Sequence, residues 1–148
     1  MQTRTNLFLT IQYSKNSIKN LSKYKIKRWI ISALSKSAIL NIRFVNNKEG
    51  LYLNKKFLGK NYAPNVLTFS YNEYKTDHII ADIIICNEIL KTEAKKRNIL
   101  AIDHAAHLII HGVLHACGLN HIKKREALKM EKIEKKILQK FNIKNPYA

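Results

Sequence analysis

The 148-residue chain is 46% hydrophobic and carries 27 Lys and Arg against 10 Asp and Glu, a formal charge of +17. That is enough sequence to bury one core without disulfides, so one domain over 1–148 is expected. The two cysteines, Cys86 and Cys117, sit in apolar runs as small buried hydrophobes. With no run of about 18 apolar residues and no secretory leader, the composition argues against a disulfide scaffold or a membrane span and for a soluble cytoplasmic protein.

In chain order, "LFLTIQY" (7–13) places Leu7, Leu9 and Ile11 on one side at period two, a strand signal. A helix follows, capped by Asn16 or Ser17, with Ile18, Leu21, Trp29, Ile30, Ala33 and Leu34 as its apolar stripe. "ILNIRFV" (39–45) is a second strand, and "KEGLYLNKKFLG" (48–59) a short helix stopped at Gly59. "NVLTFSY" (65–71) and "HIIADIIIC" (78–86) are β-branched and aromatic enough to be strands, the second apolar enough to lie centrally, with "NEYKTD" (72–77) as the polar turn between them. Asn87 caps a helix through about Arg97, and a long helix runs from about Ile102 to Cys117 and ends at Gly118. The last helix carries Met130, Ile133, Ile137 and Phe141 at helical spacing on a solvated Lys/Glu surface. Strands and helices mixed in this order predict an α+β fold, one small mixed sheet packed with helices.

The chemistry concentrates in "HGVLHACGLNH" (111–121). On a helix, His111 and His115 project from one face one turn apart, near enough for both imidazoles to reach one ion. Gly118 can take a left-handed conformation, letting the chain turn back and deliver His121 as a third nitrogen ligand. Three protein ligands with an open fourth position is the pattern of catalytic zinc, with Zn–N bonds of about 2.0–2.1 Å, and a neutral nitrogen triad suits Zn2+, one per chain. His104 and His107 extend the stripe backwards within about 80° on a helix of about 3.6 residues per turn. Each is either a group behind the ligands or groove lining, or else a packed or capping residue; His78 begins a strand and is structural.

The same spacing occurs in zinc endopeptidases of the metzincin type, where a Glu after the first histidine is the general base. Here that position is Gly112, and the peptidase reading loses its proton acceptor. The positive charge points instead to a polyanion, nucleic acid first, because Lys and Arg that neutralise phosphates release counterions. An AT-rich genome would also produce a chain with 22 Lys among 27 basic residues, so the charge is supporting evidence only.

The histidine run resembles the signature H-G-x-L-H-x-x-G-x-D-H of the YbeY family of single-strand-specific endoribonucleases that mature ribosomal RNA. It matches at His111, Gly112, Leu114, His115, Gly118 and His121. "LNKKFLGKNYAPNVLTF" (53–69) is similar to the family's L-N-x-x-Y-R-x-K-D-x-x-T-[DN]-V-L-S-F segment, "ADIIIC" (81–86) to its G-D-I-x-I-C strand, and Met130 to Leu138 to its M-x-x-L-E-x-x-I-L ending. The resemblance is essentially full length and implies a zincin-like fold with His111, His115 and His121 as zinc ligands. It further implies an RNA substrate, specifically rRNA, and the small ribosomal subunit as partner. The chain departs from the family at Leu58, where an Arg is usual, and at Asn120, where an Asp precedes the last ligand; Ala81 and Pro64 replace a usual Gly and Thr. Lys55, Lys56 and Lys60 are then the RNA-binding candidates, though a lysine does not reproduce the bidentate grip of a guanidinium. His115, Lys60 and Asn65 are the catalytic candidates, and His107 and Asn120 the candidates for orienting ligands. Asp82 lies in a buried strand run and is as well explained by a structural hydrogen bond. Two further readings stand beside the ribonuclease: a weakly or non-catalytic rRNA-binding assembly factor with a structural zinc, and, more remotely, a metallopeptidase. The oligomeric state is not encoded in any heptad or apolar patch.

Overall fold

The computed structural model describes residues 5–71 and 77–147. The turn expected at 72–77 therefore lies, apart from Asp77, outside the described residues. Four strands, β1 (Leu7–Gln12), β2 (Ala38–Val45), β3 (Val66–Ser70) and β4 (Ile79–Cys86), form one sheet in the order β1-β2-β4-β3. β1 pairs with β2 and β2 with β4 in parallel, whereas β3 returns antiparallel to β4, with Thr68 opposite Ile83. The sheet is therefore mixed. The interior place of β4 follows from its composition: Ile83, Ile84, Ile85 and Cys86 are buried in succession, which requires cover on both faces.

Five helices provide that cover: α1 (Lys23–Ala33), α2 (Asn47–Leu58), α3 (Asn87–Lys96), α4 (Ala101–Ala116) and α5 (Lys124–Lys140). The main core joins Ile26 and Ile30 of α1, Ile109, Ile110 and Val113 of α4, and Met130 and Leu138 of α5 to Leu40, Ile42, Ile83 and Ile85 of the sheet. On the opposite face Val45, Leu67, Ile84 and Cys86 form a smaller cluster with Leu53 of α2. The last turn of α2 and the Gly59 loop stand at the β3 edge, where the cleft described below opens.

Two helix starts differ from the sequence expectation. The first helix begins at Lys23, capped by Ser22, whose Oγ accepts from the Lys25 N–H at 3.2 Å. Asn20 adopts a left-handed φ of 66°, which breaks any helix begun at residue 16, although Ile18 and Leu21 are still buried. Asn87 is the first residue of α3 and not its cap; its Nδ2 donates to Ser14 Oγ and to the Asn16 carbonyl, tying α3 to the loop after β1. Cys86 is buried as expected, whereas Cys117 is half-buried, its thiol donating to the Ala33 carbonyl at 3.8 Å.

Gly50 sets how closely α2 approaches the sheet: a Cβ at this position would overlap Cys86 Sγ and stand 3.7 Å from Pro64 Cδ. Gly50→Ala is expected to lower the unfolding free energy by about 1–3 kcal/mol through overpacking, despite the higher helix propensity of Ala. In urea titrations, the Gly50→Ala/Cys86→Ala protein should be more stable than the sum of the two single effects, since removing the sulfur removes the clash.

Candidate metal centre

Apart from Asp103 and four histidines helix α4 carries no polar side chain, and the histidines form one line along the edge of its buried face. His104 is buried, and His107, His111 and His115 are half-buried. The helix closes with hydrogen bonds from Cys117 N–H to the Val113 carbonyl and from Gly118 N–H to the His115 carbonyl, both 2.9 Å. Gly118 then takes a φ of 99°, and Leu119 N–H returns to the Leu114 carbonyl at 3.1 Å. This reversal brings His121 beside the helix. Ring centroids lie 4.5 Å apart for His111–His115, 4.8 Å for His115–His121 and 5.3 Å for His111–His121. One nitrogen from each of the three lies within 4.8 Å of the others.

Gly112 points at the sheet. A Cβ there would meet Ile83 Cγ2 at 3.0 Å and Thr68 Oγ1 at 3.2 Å, and Thr68 Oγ1 already donates to the Gly112 carbonyl at 3.4 Å. A glutamate after the first histidine would have to displace fully buried Ile83. Packing as well as sequence thus denies α4 the peptidase base.

Behind His111 stands Glu134, a carboxylate with no exposed surface on the apolar face of α5. Its Oε1 bonds His111 Nδ1; its Oε2 bonds His107 Nε2 at 3.0 Å and accepts from the Tyr147 hydroxyl. Burial acts to raise the Glu134 carboxyl, but the hydrogen bonds from His107, His111 and Tyr147 outweigh it and hold it down to about 2. An acceptor at Nδ1 keeps the His111 proton there and leaves the Nε2 lone pair facing His115 Nε2, 3.0 Å away. Burial, and then the neighbouring His111 and His121, lower His115 to about 4, so at neutral pH it is an uncharged donor. Three imidazoles crowded with lone pairs converging, one anchored by a buried carboxylate, is a donor set that fits a divalent cation preferring nitrogen ligands.

The three histidines open onto a cleft of about 640 Å³. Lys60, Asn65 and Leu58 line it. Asn65 is not free: its Nδ2 donates to the Glu93 carboxylate at 3.2 and 3.4 Å, and its Oδ1 accepts from the Val66 N–H at 2.7 Å. Glu93 in turn binds His104 Nε2 at 2.9 Å, which gives His104 a partner other than the ligands. Lys55 and Lys56 project from the exposed side of α2 and do not line the cleft; Lys56 Nζ donates to the Tyr52 hydroxyl at 3.3 Å. Asn120 is exposed and bonds no histidine among the described residues; the orienting carboxylate comes instead from Glu134. Asp82 lies off the cleft, held by Asn41 Nδ2 at 3.0 Å and the Tyr71 hydroxyl at 2.6 Å. Glu134 and Glu93 were both missed from sequence. For Glu134 a signal existed, since it interrupts the apolar stripe between Met130 and Ile137; for Glu93, on a polar helix, none did.

The result is a small α+β domain whose core helix carries an H-x3-H pair, with a glycine turn returning a third imidazole to form a candidate metal centre. Residues 9–142 match the family described as Endoribonuclease YbeY. The chain belongs to that family. The Endoribonuclease YbeY of Herminiimonas arsenicoxydans is 40% identical over 151 residues, covering 97% of each chain. That of Ralstonia nicotianae is 46% identical over 131 residues, covering 88% of this chain and 70% of the relative. Among solved structures, the Thermotoga maritima protein TM1509 superposes with a TM-score of 0.57 at 23% identity over 92% of this chain and 91% of that one, a likeness of fold.

Glu134→Gln keeps the shape of the side chain but gives up its charge behind His111; zinc affinity measured by chelator competition should fall about 10–100-fold. The metal-free protein should also lose stability in acid. His115 is held below its ordinary 6.5 and Glu134 below its ordinary 4.5, so the unfolded chain binds more protons in both windows. Unfolding free energy from urea titrations should therefore fall as pH drops from about 6.5 to about 4 through His115, and again below about 4.5 through Glu134. In His115→Ala the upper of the two losses should shrink but not vanish, because burial also holds His104 below its ordinary 6.5.

Proposed function

We propose that the chain is one metal-dependent endoribonuclease domain spanning 1–148 that cuts single-stranded rRNA. Its proposed role is in late 16S rRNA 3′-end maturation and small-subunit assembly, in the cytoplasm. The observation that carries this reading is the convergence of His111, His115 and His121 on one cleft in a chain of this family. These three would hold one Zn2+, which when bound supplies a Lewis acid for a phosphoryl oxygen and lowers the pKa of a water towards about 7. The rest is done by side chains. Glu134 fixes the His111 ring from behind, and His107 shares that carboxylate. Lys60 is the one lysine or arginine among the described residues of the cleft, and it attracts the phosphate backbone as a point charge. Asn65, bonded to Glu93, fixes that carboxylate at the cleft wall. Lys55 and Lys56 lie outside the cleft on α2, where they can follow flanking phosphates.

Leu58 favours a second reading. It is the last residue of α2, exposed and lining the cleft, so no guanidinium stands where the family's Arg would. A weakly catalytic rRNA-binding assembly factor with a structural zinc would tolerate that loss. The peptidase reading has no such support, given how Gly112 is packed.

Cleavage of single-stranded rRNA 3′ regions by zinc-loaded wild type, His115→Ala and Leu58→Arg separates the two. The ribonuclease reading expects wild type to cut and His115→Ala to be inert; wild type as inert as His115→Ala, with Leu58→Arg active, selects the assembly factor. Lys60→Ala should weaken single-stranded RNA binding at low salt and reduce the slope of log K against log salt by about 0.7, the share of one phosphate contact.

A further inference from the structure

A cleft that receives a phosphodiester gains nothing electrostatically from a carboxylate in its wall, and this chain has only 10 acidic residues against 27 basic ones. Yet Glu93 lines the cleft with the three histidines, and among the described lining residues it is the one carboxylate. It is not loosely placed. Asn65, preceding β3, donates to both of its oxygens, and His104 of α4, only 3% exposed, bonds Oε1. Side chains from two other segments thus aim a carboxylate of α3 into the wall of the metal cleft. It belongs to neither group of side chains placed to share an ion, which are His111, His115 and His121, and behind them His107, His111 and Glu134. The remaining carboxylates near the chemistry are committed elsewhere: Glu134 is fully buried behind His111, and Asp82 lies off the cleft bonded to Asn41 and Tyr71. Gly112 has no room for a helical glutamate.

We propose that Glu93 is the catalytic base of phosphodiester cleavage, supplying from α3 the proton acceptor that α4 lacks, with His104 and Asn65 as its positioning residues. This rests on the ribonuclease reading above. In the step, a water gives a proton to Glu93 as its oxygen bonds to phosphorus. The bond from phosphorus to the leaving ribose oxygen breaks, and the proton passes from Glu93 to that oxygen. The products are a phosphate monoester and an alcohol, and the carboxylate is restored. A base of this kind contributes about 10²–10⁴-fold to rate and must sit within hydrogen-bond reach of the proton it takes. The alternative, a carboxylate present only to satisfy buried His104, predicts a loss of stability in place of a loss of rate.

The test uses the full-length zinc-loaded protein on a single-stranded rRNA 3′ oligonucleotide. The expected result is that Glu93→Gln keeps its zinc content and melting temperature, binds the oligonucleotide at least as tightly as wild type, and loses about 10²–10⁴-fold in kcat. Formate added to Glu93→Ala should restore part of the turnover, because a free carboxylate can take the vacated place. His104→Gln, which can still donate to Glu93, should retain more kcat than His104→Ala. A folded, zinc-loaded Glu93→Gln that cleaves within about threefold of wild type overturns the proposal. Should Glu93→Gln not fold, Glu93→Asp and formate on Glu93→Ala decide: a wild-type rate for Glu93→Ala, or no rescue of the folded protein, overturns it equally. Wild type that is as inert as His115→Ala marks a different failure, that of the ribonuclease reading itself, and takes the base with it.

Discussion

The close approach of α4 to the sheet at Gly112 governs the geometry of the metal centre. With Ile83 Cγ2 and Thr68 Oγ1 placed 3.0 and 3.2 Å from where a Cβ would lie, the helix is seated directly on β3 and β4, and its rotation about its own axis is fixed by that contact. Once Gly112 faces the strands with Ile109 and Val113, positions 111 and 115 fall at the edge of the buried face, where α4 meets the rim of the cleft. A bulkier residue at 112 would lift or turn the helix and carry both imidazoles away from His121. The glycine that removes a peptidase base is thus also the residue that aims His111 and His115.

A second constraint comes from the far side of α4. Glu134 has no solvent exposure, and a buried carboxylate survives only when hydrogen bonds replace the water it has lost. His107, His111 and Tyr147 supply them, and two of the three belong to the helix that carries the ligands. The segment after α5 is drawn in by the same arrangement, with Tyr147 on Glu134 and Arg97 donating to the Pro146 carbonyl. The orientation of one ligand is thereby coupled to the docking of α5 and of the chain that follows it.

The parts that were legible in the sequence are those whose signal is local. Period-two alternation marked β1 and the run at 39–45 marked β2, each to within a residue or two, the apolar run at 78–86 revealed an interior strand, and the i, i+4 spacing with Gly118 brought three histidines together. What was missed depends on partners far along the chain. The start of α1 turned on the left-handed Asn20, and Asn87 was drawn from capping by Ser14 and Asn16, more than 70 residues away. Asn120 was expected to orient a ligand because it adjoins one; the carboxylate that does so arrives from α5, 23 residues from His111. Neighbourhood in sequence brings candidate ligands together well and finds their supporting groups poorly, since the support must come from behind the helix.

Net charge was the least local signal, and it describes the cleft least. The excess lysine lies largely on outer surfaces, as on α5, where Lys124, Lys129, Lys132, Lys135, Lys136 and Lys140 are all exposed. Within the cleft the fixed formal charges are those of Lys60 and Glu93, which cancel, while the three histidines count as neutral. A metal-free cleft therefore has almost no electrostatic pull on a phosphate, however basic the chain as a whole. An Arg in place of Leu58 would add a permanent positive charge; here a divalent ion on the three imidazoles would be the remaining source of one. On the proposed ribonuclease reading, substrate attraction and catalytic competence would then be set by the same occupancy, and with Leu58 in the cleft wall RNA binding there would depend more on metal than it would with a guanidinium in its place.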